Sequence, residues 1–499
     1  MKLLRLHIVR LLLMALIVLP AVTSCYNYDQ EENVVYSDAS ANYINITISV
    51  SAGEDAITRA YPAGGEYGDE VVEKGREIEN KINENKVNNI MLIFYQDEVG
   101  INTSSEDAEV VFVKKYDVHP VTDADDLPDS HEHKSIEPAS VKTNEILYTT
   151  GNQRLNETSL EVGETYKVLV VANADVDVAV GDKILAVRDK LTANAYTGTG
   201  AGIDATDFVM TSESDATVSL TSPTVDTSTG ENRFIFYFNC IHIERLAARI
   251  DYCTKGATLN TTYQGYKYNL GSTDNDGFYV ITKVTPFNLY NDQEYLFKRV
   301  RSNWTDVTPA ITYLGDESTT NYVVDPKTAN KDNSNTDQPV YISPIAEDMS
   351  NGYTQVMSSL VDGQTFTDAN GYNNIIIAYP KENALMPSSH LKTYATGIAF
   401  EAKYYANPDA TPITRVYYHY LRHQGELVEN GSYQARQWNE LSADESISSH
   451  NPIVPMNYGM VRNNIYRVSI EGFNTVEGTI KIKIEEKHWR HVDNPTIYI

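Results

Sequence analysis

Ile44, Ile46, Ile48 and Val50 alternate with Asn45, Thr47 and Ser49, a period of two that commits the stretch to a strand with all four apolar side chains on one face. The stretch runs on as NYINITISVSAGEDAITR to a lone arginine, Arg59, in a Gly/Asp/Thr-containing connector before the small residue Ala60. Two readings stand at this point. One is an ordinary first strand followed by an arginine in a loop. The other is a detachable strand beside a trypsin-like cleavage site.

The same short, β-prone texture recurs along the chain. Asn88–Gln96 is a near-continuous apolar strand, Glu109–Tyr116 another, and Tyr166–Asn173 a third. Phe208–Ser212 is a short strand, and Phe234–Cys253 a long β-prone block. Tyr279–Val284, Asn374–Tyr379, Gly397–Tyr405, Arg415–Tyr420, Arg462–Glu471 and Thr479–Glu486 continue the series. Helical spacing is confined to Glu66–Val87, through Val72, Ile78 and Ile82, and to Val180–Leu191, through Ile184, Leu185 and Val187. Many short strands separated by turn signals predict β-sandwiches. The Ser/Thr/Pro/Gly stretch Thr221–Gly230 marks a domain boundary. Thr122–Ile136 and the Asn/Asp/Thr-rich Gly315–Gln338 read as exposed loops.

A chain of 499 residues with 41% hydrophobic content has material for two or three cores. Its formal net charge of −28 and the absence of any basic run argue against nucleic acid as a partner. Tyrosine, at 35 residues against 12 Phe and 3 Trp, suits pleated, half-exposed surfaces and contact faces.

Lys2, Arg5 and Arg10 precede the apolar run Leu11–Val22, which is too short to span a bilayer and is shaped like a signal peptide. It ends in Val22-Thr23-Ser24-Cys25. That ending resembles the lipobox of bacterial lipoproteins, which implies acylation of Cys25; a plain secretory signal is the alternative. Asp29, Gln30, Glu31 and Glu32 resemble the surface-export tag of lipoproteins in the Bacteroidetes. Cys240 and Cys253 are the remaining cysteines, too few for a disulfide framework, and whether they pair is open.

No catalytic constellation is visible, so an enzyme is not expected, and neither is a cofactor or a metal. His131-Glu132-His133 lies in a polar loop with no third ligand at a useful spacing. Asp274-Asn275-Asp276-Gly277 begins like a calcium loop, but Thr285 stands where a bidentate glutamate is needed, so an ordinary Asp/Gly turn is expected. G-x-S-x-G elbows, Walker loops and dinucleotide fingerprints are missing from the sequence.

Five segments together resemble the fimbrillins of Bacteroidales, in particular the major-subunit type of the minor fimbria. They are Tyr166–Asn173, Phe208–Ser212, the run Glu244-Arg245-Leu246-Ala247-Ala248-Arg249-Ile250, the run Tyr379–Asn383 (YPKEN), and Val461-Arg462-Asn463-Asn464-Ile465-Tyr466-Arg467. Trp489 follows near the C-terminus. The resemblance implies a mainly β chain with two transthyretin-like or Ig-like β-sandwich domains and a few short helices. It divides the chain into a signal peptide (1–25), a propeptide with a place-holder strand (26–59), sandwiches over 60–230 and 231–491, and a tail (492–499).

It further implies a structural subunit of a surface fimbria, held at the outer membrane through lipid on Cys25 until an arginine-specific protease cuts between Arg59 and Ala60. Ile44, Ile46, Ile48 and Val50 would then leave a groove. A strand from another copy of the chain, or from a related fimbrial subunit, would fill it and support adhesion to an unknown target. Val492, Ile497 and Ile499 are the candidate donor residues; Ile480, Ile482 and Ile484, which alternate with Lys481 and Lys483, belong either to the donor or to a last core strand. The alternative is a non-polymerising surface lipoprotein adhesin, or an anchor or tip subunit, binding a glycan or host protein.

Overall fold

The computed structural model describes residues 42–50, 77–78, 82–96, 107–121, 147–192, 198–199, 206–212, 215–228, 232–301, 322–331, 337, 339–342, 365–367, 371–421, 432–437, 440–446, 448, 458–475 and 479–488. The chain is mainly β. Two short helices, Ile184–Arg188 and Leu391–Tyr394, are the α-helices among these residues.

An 11-stranded sheet forms the first sandwich. Along its path lie Val110–Asp117, Asn89–Tyr95, Thr165–Ala172, Met210–Ser212, Arg233–Arg245, the opening strand Asn42–Ser49, Leu147–Thr149 and His119–Pro120. The long strand Arg233–Arg245 belongs to both layers. Its end pairs with Met210–Ser212, while Phe234–His242 pair in parallel with the opening strand. Ile90, Leu92, Phe94, Val168 and Val170 therefore share one core with Ile44, Ile46, Ile48, Phe236 and Phe238. On the other face of the central strands, Ile93, Tyr95, Leu169 and Val171 are covered by Ile184, Val187, Leu296 and Phe297. Burial on both faces explains why these strands read as nearly continuous apolar runs.

The second sandwich packs a 7-stranded sheet on a 5-stranded one. The first contains Asn373–Tyr379, Arg249–Cys253, Asn464–Asn474, Thr479–His488 and Ser432–Ala435; the second contains Gly265–Asn269, Phe278–Phe287, Gly397–Tyr405 and Ile413–Tyr420. Ile480, Ile482 and Ile484 are buried there beside Ile250, Tyr466 and Phe400, as side chains of the last core strand.

Three expectations change. Within Glu66–Val87, residues 77–78 and 82–83 form a small antiparallel ladder rather than a helix. The helical spacing is outweighed by burial of Ile82 in the first core and of Glu84 and Asn85 at the junction between sandwiches. The boundary after Gly230 moves, because Arg233–Arg245 is integral to the first sheet and the chain changes sheets at Leu246-Ala247-Ala248. Finally, part of Gly315–Gln338 is packed rather than exposed. Lys331 is fully buried because its ammonium reaches Asp325 Oδ2 at 2.5 Å, Asn383 Oδ1 at 2.7 Å and the Ala384 carbonyl at 2.7 Å.

Candidate functional site, a groove filled by the opening strand

The opening strand is an interior strand of its sheet. One edge pairs in parallel with Phe234–His242; the other pairs antiparallel with Leu147–Thr149 and Gln153–Arg154. Ile44, Ile46, Ile48 and Val50 are 0–1% exposed and sit in the first core. Their burial contributes roughly 6–12 kcal/mol as an upper bound. The register on the long strand slips between Ile46 and Ile48, which face Phe238 and Ile241. This bulge lies around Asn239 and Cys240.

The alternate face is polar yet closed. Asn45 and Thr47 are 6% and 1% exposed. Thr149 Oγ1 donates to Asn45 Oδ1 at 2.7 Å, and Asn45 Nδ2 donates to Asn152 Oδ1 at 3.0 Å. Sequence reasoning placed Asn45 on a polar face and missed that this face has its own partners. Nothing in the local pattern links Asn45 to Thr149 and Asn152, which lie more than a hundred positions away.

Of the residues singled out from the sequence, Ile44, Ile46, Ile48 and Val50 are brought together in the groove. Cys25, Arg59, Ala60, Val492, Ile497 and Ile499 lie outside the described residues, as do His131 and His133. Asp274–Asp276 is a single 3-10 turn. Its Asp276 carboxylate accepts from the Thr273 N–H at 2.8 Å and the Thr273 hydroxyl at 3.0 Å, a capping role that holds Asp276 below the usual carboxylate range. No group of three or more His, Cys, Asp or Glu arranged to hold a metal occurs among the described residues.

Three of the sequence motifs converge on the junction between the sandwiches. Arg249, from the first, donates to both oxygens of Glu84 and to both oxygens of Asp251. Tyr379, from the second, donates to Glu84 Oε1 at 2.5 Å. From the third, Arg467 reaches Asp251 Oδ2 at 3.0 Å, and Asn463 Oδ1 accepts from Arg245 Nη1 at 3.2 Å. Arg245 also donates to the Glu84 carbonyl at 2.6 Å and to Asn85 Oδ1 at 2.6 Å. Beside this network Arg462 binds Glu382 through Nε at 2.9 Å and the Leu296 and Tyr295 carbonyls at 2.9 and 2.6 Å. Lys298 pairs with Glu244 at 2.5 Å. Burial pushes Glu244 upward, and pushes Glu294, near Arg462 and Glu382, up to about 8. The motifs are therefore the polar cement of the junction: side chains from all three reach partners remote in sequence.

Fold and site together define a two-sandwich β chain whose first core is completed by its own opening strand. No protein-family model and no curated protein matches the sequence. Its structural neighbours are fimbrial and cell-adhesion proteins. A fimbrilin from Porphyromonas gingivalis superposes with a TM-score of 0.38 at 12% identity, covering 91% of this chain and 99% of that one. The tip fimbrial protein Mfa3 of the same organism, with a C-terminal truncation, gives 0.37 at 11%, covering 90% and 100%. A fimbrial assembly protein from Parabacteroides distasonis gives 0.28 at 11%, covering 89% and 93%. At these scores the superpositions assign no function, and the geometry of the groove has to supply one.

Proposed function

We infer that this chain is a structural subunit of a surface fimbria that assembles by strand replacement, with adhesion and biofilm formation as its outcome. It is exported as a lipoprotein acylated on Cys25, and an arginine-specific protease then hydrolyses the bond between Arg59 and Ala60. The supporting observation is the opening strand: it is interior and buried, its partners are remote in sequence, and it joins the body through the stretch that carries Arg59.

Hydrolysis at Arg59 would leave Glu84 and Asn85 on the body, so the junction network survives it. Loss of the strand would open an apolar groove flanked by two unpaired backbone edges, a site for strand addition. A donor strand from a neighbouring subunit, with Val492, Ile497 and Ile499 as the candidate residues, would restore both burial and pairing. Groove and donor lie on different parts of one molecule, so the contact is heterologous and propagates as an open filament.

Limited trypsin treatment of the purified precursor tests this. Cleavage after Arg59 followed by SDS-resistant ladders is the expected result. A cleaved product that stays monomeric would remove the polymerisation claim. Deletion of the residues from Val492 onward should leave a folded monomer that does not assemble, and normal filaments from it would remove the tail from the mechanism.

A further inference from the structure

The outer edge of the opening strand is paired in two pieces, with Leu147–Thr149 facing Thr47–Ser49 and Gln153–Arg154 facing Tyr43 and Ile44. Between them the ladder breaks, and side chains take over. Gly151 turns through a left-handed φ of 62°, and its N–H donates to Thr149 Oγ1 at 3.0 Å. That hydroxyl is thereby oriented to donate onward to Asn45 Oδ1 at 2.7 Å, while Asn45 Nδ2 donates to Asn152 Oδ1 at 3.0 Å. The next residue is fixed through its backbone: the Ile46 N–H donates to Thr150 Oγ1 at 3.2 Å, and the Ile46 carbonyl accepts from the Thr150 N–H at 3.1 Å. The wall of the groove thus offers one donor and one acceptor, spaced for a planar carboxamide. The Asn45 carboxamide meets both at once, whereas an aliphatic side chain would meet neither. Leaving the buried Thr149 hydroxyl without its acceptor is costly, since Thr149 is 2% exposed.

We propose that this clamp ranks the strands that can fill the groove, favouring a carboxamide between two branched aliphatic residues as in Ile44-Asn45-Ile46. The selection rests on the strand-replacement reading above. It bears on the occupant supplied by a second copy of this chain. The residues after His488, WRHVDNPTIYI, set Asn494 between Asp493 and Pro495, and Tyr498 between Ile497 and Ile499. With its isoleucines in the places of Ile44 and Ile46, this tail puts a phenol where the carboxamide stands. The resident strand outcompetes such a tail. Replacement therefore waits until hydrolysis at Arg59 converts the resident from a tethered strand into a free peptide that dilutes away.

The test uses the full chain cleaved after Arg59 and washed free of its opening peptide. Binding of labelled synthetic peptides is read by fluorescence anisotropy: NYINITISV, its Asn45→Leu form, WRHVDNPTIYI and its Tyr498→Asn form. Asn45→Leu should bind about ten-fold more weakly than the resident peptide, and Tyr498→Asn about ten-fold more tightly than the natural tail. Equal affinities within either pair overturn the clamp. A cleaved chain that binds none of the peptides overturns strand replacement itself. The clamp is scored separately in the uncleaved chain by a double-mutant cycle of Asn45→Ala and Thr149→Ala. Non-additive stability effects are expected, and additive ones overturn the clamp whatever the cleaved chain does.

Discussion

Arg249 donates from Nη1 to both carboxylate oxygens of Glu84, at 3.1 and 2.9 Å, across 165 positions of sequence, and both side chains are fully buried. Glu84 lies just before the strand Asn89–Tyr95 of the first sandwich, and Arg249 opens the second. A buried ion pair is expensive to assemble, but removing one partner strands the other charge away from water. The pair therefore ties the two halves together at a buried point whose disruption is costly.

Glu84→Ala should lower the unfolding free energy by about 3–5 kcal/mol, measured by urea denaturation, because Arg249 keeps only Asp251 of its two carboxylate partners and the Tyr379 hydroxyl loses the Glu84 carboxylate. Pairing it with Arg249→Met should recover part of that loss. A double variant as unstable as the sum of the singles would show that the two side chains act independently.

Ile46→Ala should cost the uncleaved chain about 2–5 kcal/mol, since Ile46 is 1% exposed in the first core. The same substitution should leave the thermal stability of protein already cleaved and assembled unchanged, because the strand has departed. An equal loss in both forms would place the opening strand permanently in the core.

Glu294 gives stability a pH dependence of definite sign. Burial raises its carboxyl from an ordinary 4.5 to about 8, against the opposing pull of Arg462 and Lys381 and with added repulsion from Glu382. The folded chain thus holds a proton that the unfolded chain releases. The contribution is full below 4.5 and is lost as pH rises through about 8. Between about pH 5 and about pH 9 the Tm of the natural chain should fall relative to Glu294→Gln. Parallel curves would mean that Glu294 folds ionised.

Asn463 adopts a left-handed φ of 58° while accepting from Arg245 Nη1 at 3.2 Å. Asn463→Ala loses the acceptor and strains the backbone, and should cost about 3–4 kcal/mol. Asn463→Gly loses only the acceptor and should be about 1 kcal/mol milder. Equal losses in chemical denaturation would assign the whole effect to the hydrogen bond.

Strand existence was the most legible part of the fold. Gly397–Tyr405 forms with the limits read from the sequence, and Asn89–Tyr95 and Thr165–Ala172 lie within a residue of Asn88–Gln96 and Tyr166–Asn173. Apolar spacing reports which side of a strand is dry, and that is a local property. The Phe234–Cys253 block shows where this stops. Its residues are β-prone throughout, yet Arg233–Arg245 completes the first sandwich and Arg249–Cys253 starts the second. A Ser/Thr/Pro/Gly stretch breaks a strand wherever it occurs, whether or not a domain ends there.

For the opening strand, sequence by itself determined that Ile44, Ile46, Ile48 and Val50 share one face and that Arg59 follows it. Tertiary structure decided that the strand is interior, parallel to Phe234–His242, and gripped at Asn45 by Thr149 and Asn152. Likewise the words ERLAARI, YPKEN and VRNNIYR carry charged residue types that are mostly exposed in proteins. They are buried because each charge meets a partner contributed by another part of the chain. Hydrophobic period is written into neighbouring residues, whereas the satisfaction of a buried polar group depends on what the rest of the fold brings to it.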